Sequence, residues 1–246
     1  MIDYNQQFKQ TLAGLKKRES LLLHTCCAVC AGGVLAREFP MQVVRGTVVF
    51  DNFGKNNAAS ASLETEQQIA DKLSNTTVPL TTCKKRLADY FDITLYFYNP
   101  NIDTQEEYDK RAGELQKLKK AFSIRDIIIA EYKPREFYNE IKGREDGPEG
   151  ACGRCNTCIG LRLYKAAQCA SKNGFERFST VLSVSPHKSA WEVSRAGTRA
   201  QNRYGIPFLP ADFKKENGFL YASQTAVQLN LYRQNYCGCV YSKIGD

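Results

Sequence analysis

The sequence has only two histidines among its 246 residues, so imidazole cannot supply most ligands of a metal site. It lacks any apolar run close to the roughly 20 residues that a membrane-spanning helix needs. Its first residues show neither the basic nor the apolar region of a signal peptide. Its hydrophobic content of 43% supplies an ordinary core without a disulfide scaffold. We therefore expect a cytoplasmic protein that does not bind a membrane.

Cysteine, in contrast, is abundant, with ten residues in the chain. Most of them form three tight clusters that are far apart in sequence: Cys26, Cys27 and Cys30; Cys155 and Cys158; Cys237 and Cys239. In a reducing compartment, such spacing is typical of metal ligands or catalytic thiols rather than of structural disulfides. Cys152 precedes the second cluster by three residues and its role stays open. The isolated Cys83 and Cys169 are expected to be small core side chains.

Two of these clusters contain pairs suited to an iron–sulfur centre. Cys155 and Cys158 form a C-x-x-C unit at the start of a predicted helix, where free backbone N–H groups favour thiolates. The adjacent Cys26 and Cys27 have a spacing that is uncommon at structural zinc sites. Four thiolates suffice for a [4Fe-4S] cluster, although one or two structural zinc sites remain an alternative. The other clustered thiols are left for a second metal ion or a redox dithiol: Cys30, Cys237 and Cys239.

Apolar segments of strand and helix length alternate along the chain. The strand candidates are residues 20–25, 45–51, 93–98, 126–131, 175–180 and 206–210, and the main helix candidates are 104–122, 157–172, 190–204 and 220–231. This alternation predicts a single α/β domain with a mostly parallel sheet and helices on both faces. Cys26 and Cys27 follow the first strand, where ligand sites of such sheets lie. The Gly- and Pro-rich loop 143–153 is a candidate flap beside Cys155.

The chain carries a formal net charge of +8. Residues 187–246 contribute eight Lys or Arg against four acids. An excess of basic residues attracts phosphate-rich partners, although a solvated basic surface would have the same composition. Charge alone therefore supports two interpretations equally: a surface that binds nucleic acid, and an ordinary solvated basic surface.

Five motifs occur in one order along the chain: 24–30 (HTCCAVC), 97–102 (FYNPNI), 154–158 (RCNTC), 183–188 (SVSPHK) and 232–239 (YRQNYCGC). Together they resemble the cobalamin-independent epoxyqueuosine reductase (QueH) family. The resemblance implies a fold similar to HUP-type nucleotide-binding domains. It also implies reduction of epoxyqueuosine to queuosine at the wobble position of tRNAs with GUN anticodons. Residues 40–87 are longer than the family pattern and are expected to be an insertion.

The resemblance also implies roles for individual residues. A [4Fe-4S] cluster would be held by Cys26, Cys27, Cys155 and Cys158, and a neighbouring mononuclear iron by Cys30, Cys237 and Cys239. Removing the epoxide oxygen needs two electrons, from an external low-potential donor, and two protons. The candidate catalytic residues are Cys237, Cys239, His187 and Tyr236. The candidate substrate-binding residues are Tyr98, Asn99, Asn101, Lys188, Arg233 and Asn235.

Two other functions fit parts of the pattern. An ATP-dependent tRNA thiolation enzyme would share the fold, but such enzymes have an S-G-G-x-D-S type loop after the first strand. Thiols occupy that place here, which argues against ATP. A zinc-stabilised RNA-binding module is the second alternative. For His24, at the end of the first strand, a core position satisfied by neighbouring groups is as well supported as a role beside the cluster.

Overall fold

The computed structural model describes residues 2–44, 47–49, 81–147, 149–150 and 153–243. Seven helices lie within these ranges: α1 (Tyr4–Gly14), α2 (Ala28–Ala36), α3 (Gln105–Ala121), α4 (Pro134–Ile141), α5 (Gly153–Lys172), α6 (Ala190–Tyr204) and α7 (Gly218–Gln228). Seven strands lie within them: β1 (Glu19–His24), β2 (Glu38–Val44), β3 (Thr47–Val49), β4 (Thr81–Arg86), β5 (Phe91–Phe97), β6 (Ile124–Ile129) and β7 (Arg177–Thr180). Apart from β2, β3 and β4, the described strands and helices mostly alternate, as the sequence predicts.

The main sheet is parallel and has the order β6-β5-β1-β7. Leu21 of β1 lies opposite Ile93 of β5, and Leu22 lies opposite Phe178 of β7. The last four residues of β1 are buried, as expected for a central strand covered on both faces. The predicted α/β class with a mostly parallel sheet is confirmed.

Helices pack on both faces of this sheet. Leu22 shares a core cluster with Ile159 and Leu163 of α5, and Val193 of α6 joins the same cluster. Because neighbouring residues of a strand point to opposite faces, Leu21 and Leu23 face the other layer. None of the described helices is both long and apolar enough to cross a membrane.

Contacts divide the chain into two units, residues 1–37 with 86–246, and residues 38–85. The second unit contains a three-stranded sheet of order β3-β2-β4, in which β2 and β3 are antiparallel. Its bounds lie within two residues of the expected insertion at 40–87. The single-domain organisation stays a prediction. Most of the strand candidate at 45–51, and Cys152, lie outside the described residues.

The strand candidate at 206–210 is wrong. This segment has only an isolated parallel bridge, between Phe208 and Phe178. Its backbone instead exchanges two hydrogen bonds with Phe178, from Phe178 N to the Pro207 oxygen (3.0 Å) and from Leu209 N to the Phe178 oxygen (2.9 Å). Proline has no N–H to donate to a ladder, which explains why pairing does not continue.

Candidate metal centre

The site forms where the parallel strands end. Cys26 and Cys27 follow β1, and the segment 98–101 follows β5. A short 3-10 helix, Leu182–Val184, follows β7 and leads to Lys188. Because the carboxyl ends of parallel strands meet at one edge of a sheet, three of the five motifs are placed side by side.

The first three thiols form a compact group. The sulfur atoms of Cys26, Cys27 and Cys30 all lie within 4.8 Å of one another. Cys27 caps α2, and its Sγ accepts a hydrogen bond from the backbone N–H of Cys30 at 3.4 Å. Hydrogen bonds from Cys26 and Cys30 hold the pKa of Cys27 well below its ordinary value. These contacts favour the thiolate form of Cys27, which is the form that binds metal.

The other two thiol pairs share an adjacent cavity. Cys155 and Cys158 reach it from α5, and Cys237 and Cys239 reach it from the segment after α7. Burial raises the pKa of Cys158 to about 11 and that of Cys239 to about 12. The backbone N–H of Gly150 lies 3.1 Å from the Sγ of Cys155, so the predicted flap loop contacts a thiol of the centre.

Two buried cations link the two groups of thiols. Arg162 and Lys188 line both the cavity of Cys155 and Cys158 and the cleft of Cys26, Cys27 and Cys30, as does Cys237. The Nζ of Lys188 lies 3.5 Å from the Sγ of Cys237. Although burial lowers the pKa of Lys188, its interaction with Cys237 and other negative groups raises the pKa overall. The cations compensate negative charge on the sulfurs, so all three thiol segments belong to one electrostatic centre.

Sequence reasoning missed Arg162 as part of the site, because it lies off the apolar stripe of α5. Its side chain is only 2% exposed. Burial by itself would lower the pKa of Arg162, but the neighbouring Cys158, Cys237 and Cys26 raise it overall. A signal was available, because Arg162 is four residues after Cys158 and so lies on the same face of the helix. Arg111 was also missed. It donates to the backbone oxygen of Cys237 at 3.0 Å, and it belongs to none of the five sequence motifs.

The predicted substrate-binding residues divide into two groups. Lys188, Arg233 and Asn235 line the cleft beside Cys26, Cys27 and Cys30. Arg233 and Asn235 are exposed there. The cleft, about 300 Å³ in volume, is therefore bordered by groups that can contact a polar, anionic ligand.

The residues after β5 are instead buried. Tyr98 is 4% exposed, and its hydroxyl donates to Glu136. Asn99 donates from Nδ2 to the Thr25 oxygen at 2.9 Å, and its Oδ1 accepts from Arg162 at 3.4 Å. Tyr98 and Asn99 thus fix the backbone and the buried arginine of the site, and a base could not stack on Tyr98 in this arrangement. Asn101 lines the cavity of the Cys155 pair.

His187 and Tyr236, the candidate proton donors, both line the cleft. His187 is exposed. Tyr236 donates its hydroxyl to Asp103 Oδ1 at 2.7 Å, and burial together with this carboxylate raises the pKa of the tyrosine. Tyr236 therefore keeps its proton at neutral pH.

His24 has the environment of a core residue. It is fully buried, its Nδ1 lies 2.8 Å from Thr180 Oγ1, and its Nε2 lies 3.2 Å from the Tyr98 oxygen. Burial, and then the nearby Arg162, lower its pKa to about 3. The imidazole is therefore neutral and satisfied by its neighbours, as in the core interpretation. Cys169 packs against the core cluster on α5, as expected.

The donor set fits an iron–sulfur centre. Soft thiolates select iron–sulfur clusters, zinc or cuprous ions over hard cations, and thiols of all three cysteine clusters line the site. Asn101 adds a second observation. Its Oδ1 is buried without a hydrogen-bond partner among the described residues, in the cavity that Cys155, Cys158, Cys237 and Cys239 line. A buried acceptor of this kind needs a hydrogen-bond donor, such as a water, or a cation beside it.

The fold and the site thus define an α/β protein with an all-thiol centre at the carboxyl edge of its sheet. The family model described as epoxyqueuosine reductase QueH matches residues 74–244. Several relatives bear the same name. The one from Streptococcus pyogenes is 38% identical over 161 residues, which cover 63% of this chain and 63% of the relative. The one from Thermotoga maritima is 37% identical over 154 residues, which cover 61% of this chain and 79% of the relative.

The chain therefore belongs to the epoxyqueuosine reductase QueH family. The match spans just under two thirds of the length of the Streptococcus relative. A solved structure, the U34-tRNA thiolase NcsA from Methanococcus maripaludis with its [4Fe-4S] cluster, superposes with a TM-score of 0.46. It is 11% identical, and the match covers 98% of this chain and 67% of that one.

Proposed function

We propose that the chain reduces epoxyqueuosine to queuosine at the wobble position of tRNA with a GUN anticodon. The observation that carries the proposal is the convergence of three thiol segments around Arg162 and Lys188, in a member of this family. The cysteine clusters, which have the spacing of metal ligands, also support the expected cytoplasmic location. A low-potential donor outside the chain would supply the electrons.

The cofactor-binding residues in this proposal are Cys26, Cys27, Cys155 and Cys158, holding a [4Fe-4S] cluster. Such a cluster, when bound, supplies electrons one at a time at low potential, and the reaction consumes two. The second iron would be held by Cys30, Cys237 and Cys239. Two features bear on this division: Cys30 lies within 4.8 Å of Cys26 and Cys27, and Cys237 lines both parts of the site. The buried cations stabilise thiolates in either arrangement.

The chain's own groups have distinct tasks in the reaction. Arg233 and Asn235, exposed at the cleft, bind the polar nucleotide. Lys188 and Arg162 compensate the negative charge of the thiolates at the floor. The epoxide oxygen leaves as water and needs two protons, for which His187 and the protonated Tyr236 line the same cleft. His187 is also placed to contact a phosphate.

The test begins with anaerobic purification and quantitation of iron, sulfide and zinc. The protein is then incubated with epoxyqueuosine-containing tRNA and a low-potential reductant, and the nucleosides are analysed by mass spectrometry. We expect iron, sulfide and the formation of queuosine. Zinc without iron, and no product, would instead favour the zinc-stabilised RNA-binding module.

A matched pair of variants tests the ligand set. Cys155→Ala removes a proposed ligand, whereas Cys169→Ala removes a partly buried thiol on the same helix that packs against the core cluster. We expect Cys155→Ala to lose iron and activity and Cys169→Ala to keep both. Full iron content and activity in Cys155→Ala would refute the assignment.

A further inference from the structure

An exposed aromatic ring borders the thiol-lined cleft. Phe219, in the first turn of α7, is 56% exposed and lines the cleft together with Cys27, Cys30 and Arg233. Leu220, beside it in sequence, is 52% exposed but does not line the cleft. An exposed phenylalanine loses the benefit of burial in the free protein, so its position is worth an explanation.

The turn before α7 fixes the backbone position of this residue. Glu216 and Asn217 both have left-handed backbone conformations, with φ of +54° and +63°. Residues other than glycine rarely adopt them, and such strain persists only where the surroundings determine it. A Cβ atom at Gly218, the next residue, would overlap the carbonyl oxygen of Phe213. The chain therefore reaches Phe219 through a tightly specified turn.

Three side chains hold that turn through the carboxylate of Glu216. Arg37 donates to it at 2.6 Å, Asn5 at 2.9 Å and Lys9 at 2.5 Å. Arg37 is itself 2% exposed. A buried cation paired with the turn makes a different backbone conformation costly.

The rest of α7 is fixed against the helix that carries Cys30. A Cβ atom at Gly33 of α2 would lie 2.6 Å from the Cβ of Ala222, so the two helices are in close contact there. Ala222 is three residues after Phe219 and also lines the cleft, as residues at this spacing share one helix face. Phe219 thus stands on the wall of the cleft while Cys27, 2% exposed, lies at its floor.

We propose that Phe219 stacks on a nucleobase next to the reacting nucleotide of the substrate RNA. This rests on the proposed function. The reacting base must reach the thiols at the floor, so a ring at the mouth meets its neighbour in the strand. Arg233 and His187 at the same cleft match the negative backbone of RNA, and aromatic rings are a common platform for unpaired bases. Phe219 is a positioning residue in this scheme.

The experiment measures binding of an anticodon stem-loop RNA to anaerobically purified protein by fluorescence anisotropy. Phe219→Ala should raise the Kd about tenfold, because stacking on one base contributes about 1–3 kcal/mol. Phe219→Trp should keep the affinity, and Leu220→Ala should leave it unchanged. Iron content should be the same in all four proteins, which shows that the centre is intact.

RNAs with an abasic site on either side of the wobble nucleotide then complete the cycle. One of them should bind wild type about tenfold more weakly, and Phe219→Ala should bind it as weakly as it binds the unmodified RNA. Additive losses, or unchanged binding in Phe219→Ala, would overturn the stacking proposal and leave the proposed function intact. Wild type that binds no stem-loop would overturn the RNA substrate, and the stacking proposal with it.

Discussion

Replacing Gly33 by alanine should destabilise the protein, because the space beside this glycine is filled by another backbone. The added Cβ would lie 2.6 Å from the Cβ of Ala222, 2.8 Å from its Cα and 2.9 Å from its N. Rotation of a side chain cannot relieve these contacts, since two of the three atoms belong to the main chain. Helix α7 would have to move away from α2.

The size of the effect follows from these distances. Carbon atoms pack best at about 3.5–4.0 Å, so the helices would need to separate by about 1 Å. Overpacking of this kind costs about 1–3 kcal/mol, whereas the higher helix propensity of alanine offsets about 1 kcal/mol. We expect a net loss of up to about 2 kcal/mol in the free energy of unfolding.

Gly113→Ala is the matched control. Gly113 lies inside α3, and a Cβ atom there would meet nothing within 4 Å, so only the propensity term acts and the variant should gain about 1 kcal/mol. Urea unfolding followed by circular dichroism measures both variants against wild type. Equal stability of Gly33→Ala and Gly113→Ala would refute the tight packing of α2 on α7.

Three further substitutions test particular interactions. Glu216→Gln should cost about 1–2 kcal/mol near neutral pH by weakening the pair with the buried Arg37. Burial would raise the pKa of Glu216, but its hydrogen-bond partners outweigh burial and lower the pKa below 4.5. The stabilisation by Glu216 should therefore be lost as pH falls below that value. Urea titrations at several pH values measure it, and a stability difference between Glu216→Gln and wild type that persisted in acid would contradict the prediction. Arg162→Gln should reduce the iron retained after anaerobic purification, since losing one partner of a buried charge group costs about 3–5 kcal/mol; wild-type iron content would contradict this. Tyr98→Phe should lower the free energy of unfolding by about 1.5–3 kcal/mol, because it removes the hydrogen bond to the carboxylate of Glu136. It should leave the affinity for RNA unchanged. Weaker RNA binding at unchanged stability would instead indicate that Tyr98 contacts the ligand.

Much of the order of strands and helices could be predicted because the longer segments have their own periodicity and boundary signals, whereas β2 and β4 are not among the strand candidates. Thr104 and Ser189, for example, both cap the helices that follow them. The segment 206–210 could not be assigned correctly, since its apolar residues fit a strand and only its neighbours in space decide whether it pairs. Pairing depends on contacts that a local pattern does not contain.

The thiol motifs themselves could be read from the sequence, because cysteine spacing is a local property. Their division in space could not. In the structure, Cys237 and Cys239 line one cavity with Cys155 and Cys158, and Cys237 also lines the cleft of Cys26, Cys27 and Cys30. Likewise, the sequence predicts that Tyr98 binds the substrate. Its side chain is instead buried and donates to Glu136, because the chain after β5 lies in the core.

The sequence by itself determined the class of fold, the family and the sulfur-rich chemistry, since these depend on residue types and on their order along the chain. Only the tertiary structure decided that Arg111 belongs to the centre and that Phe219 lies at the edge of the cleft. These residues come from helices far apart in sequence, and packing across the sheet and between α2 and α7 is what brings them to the thiols.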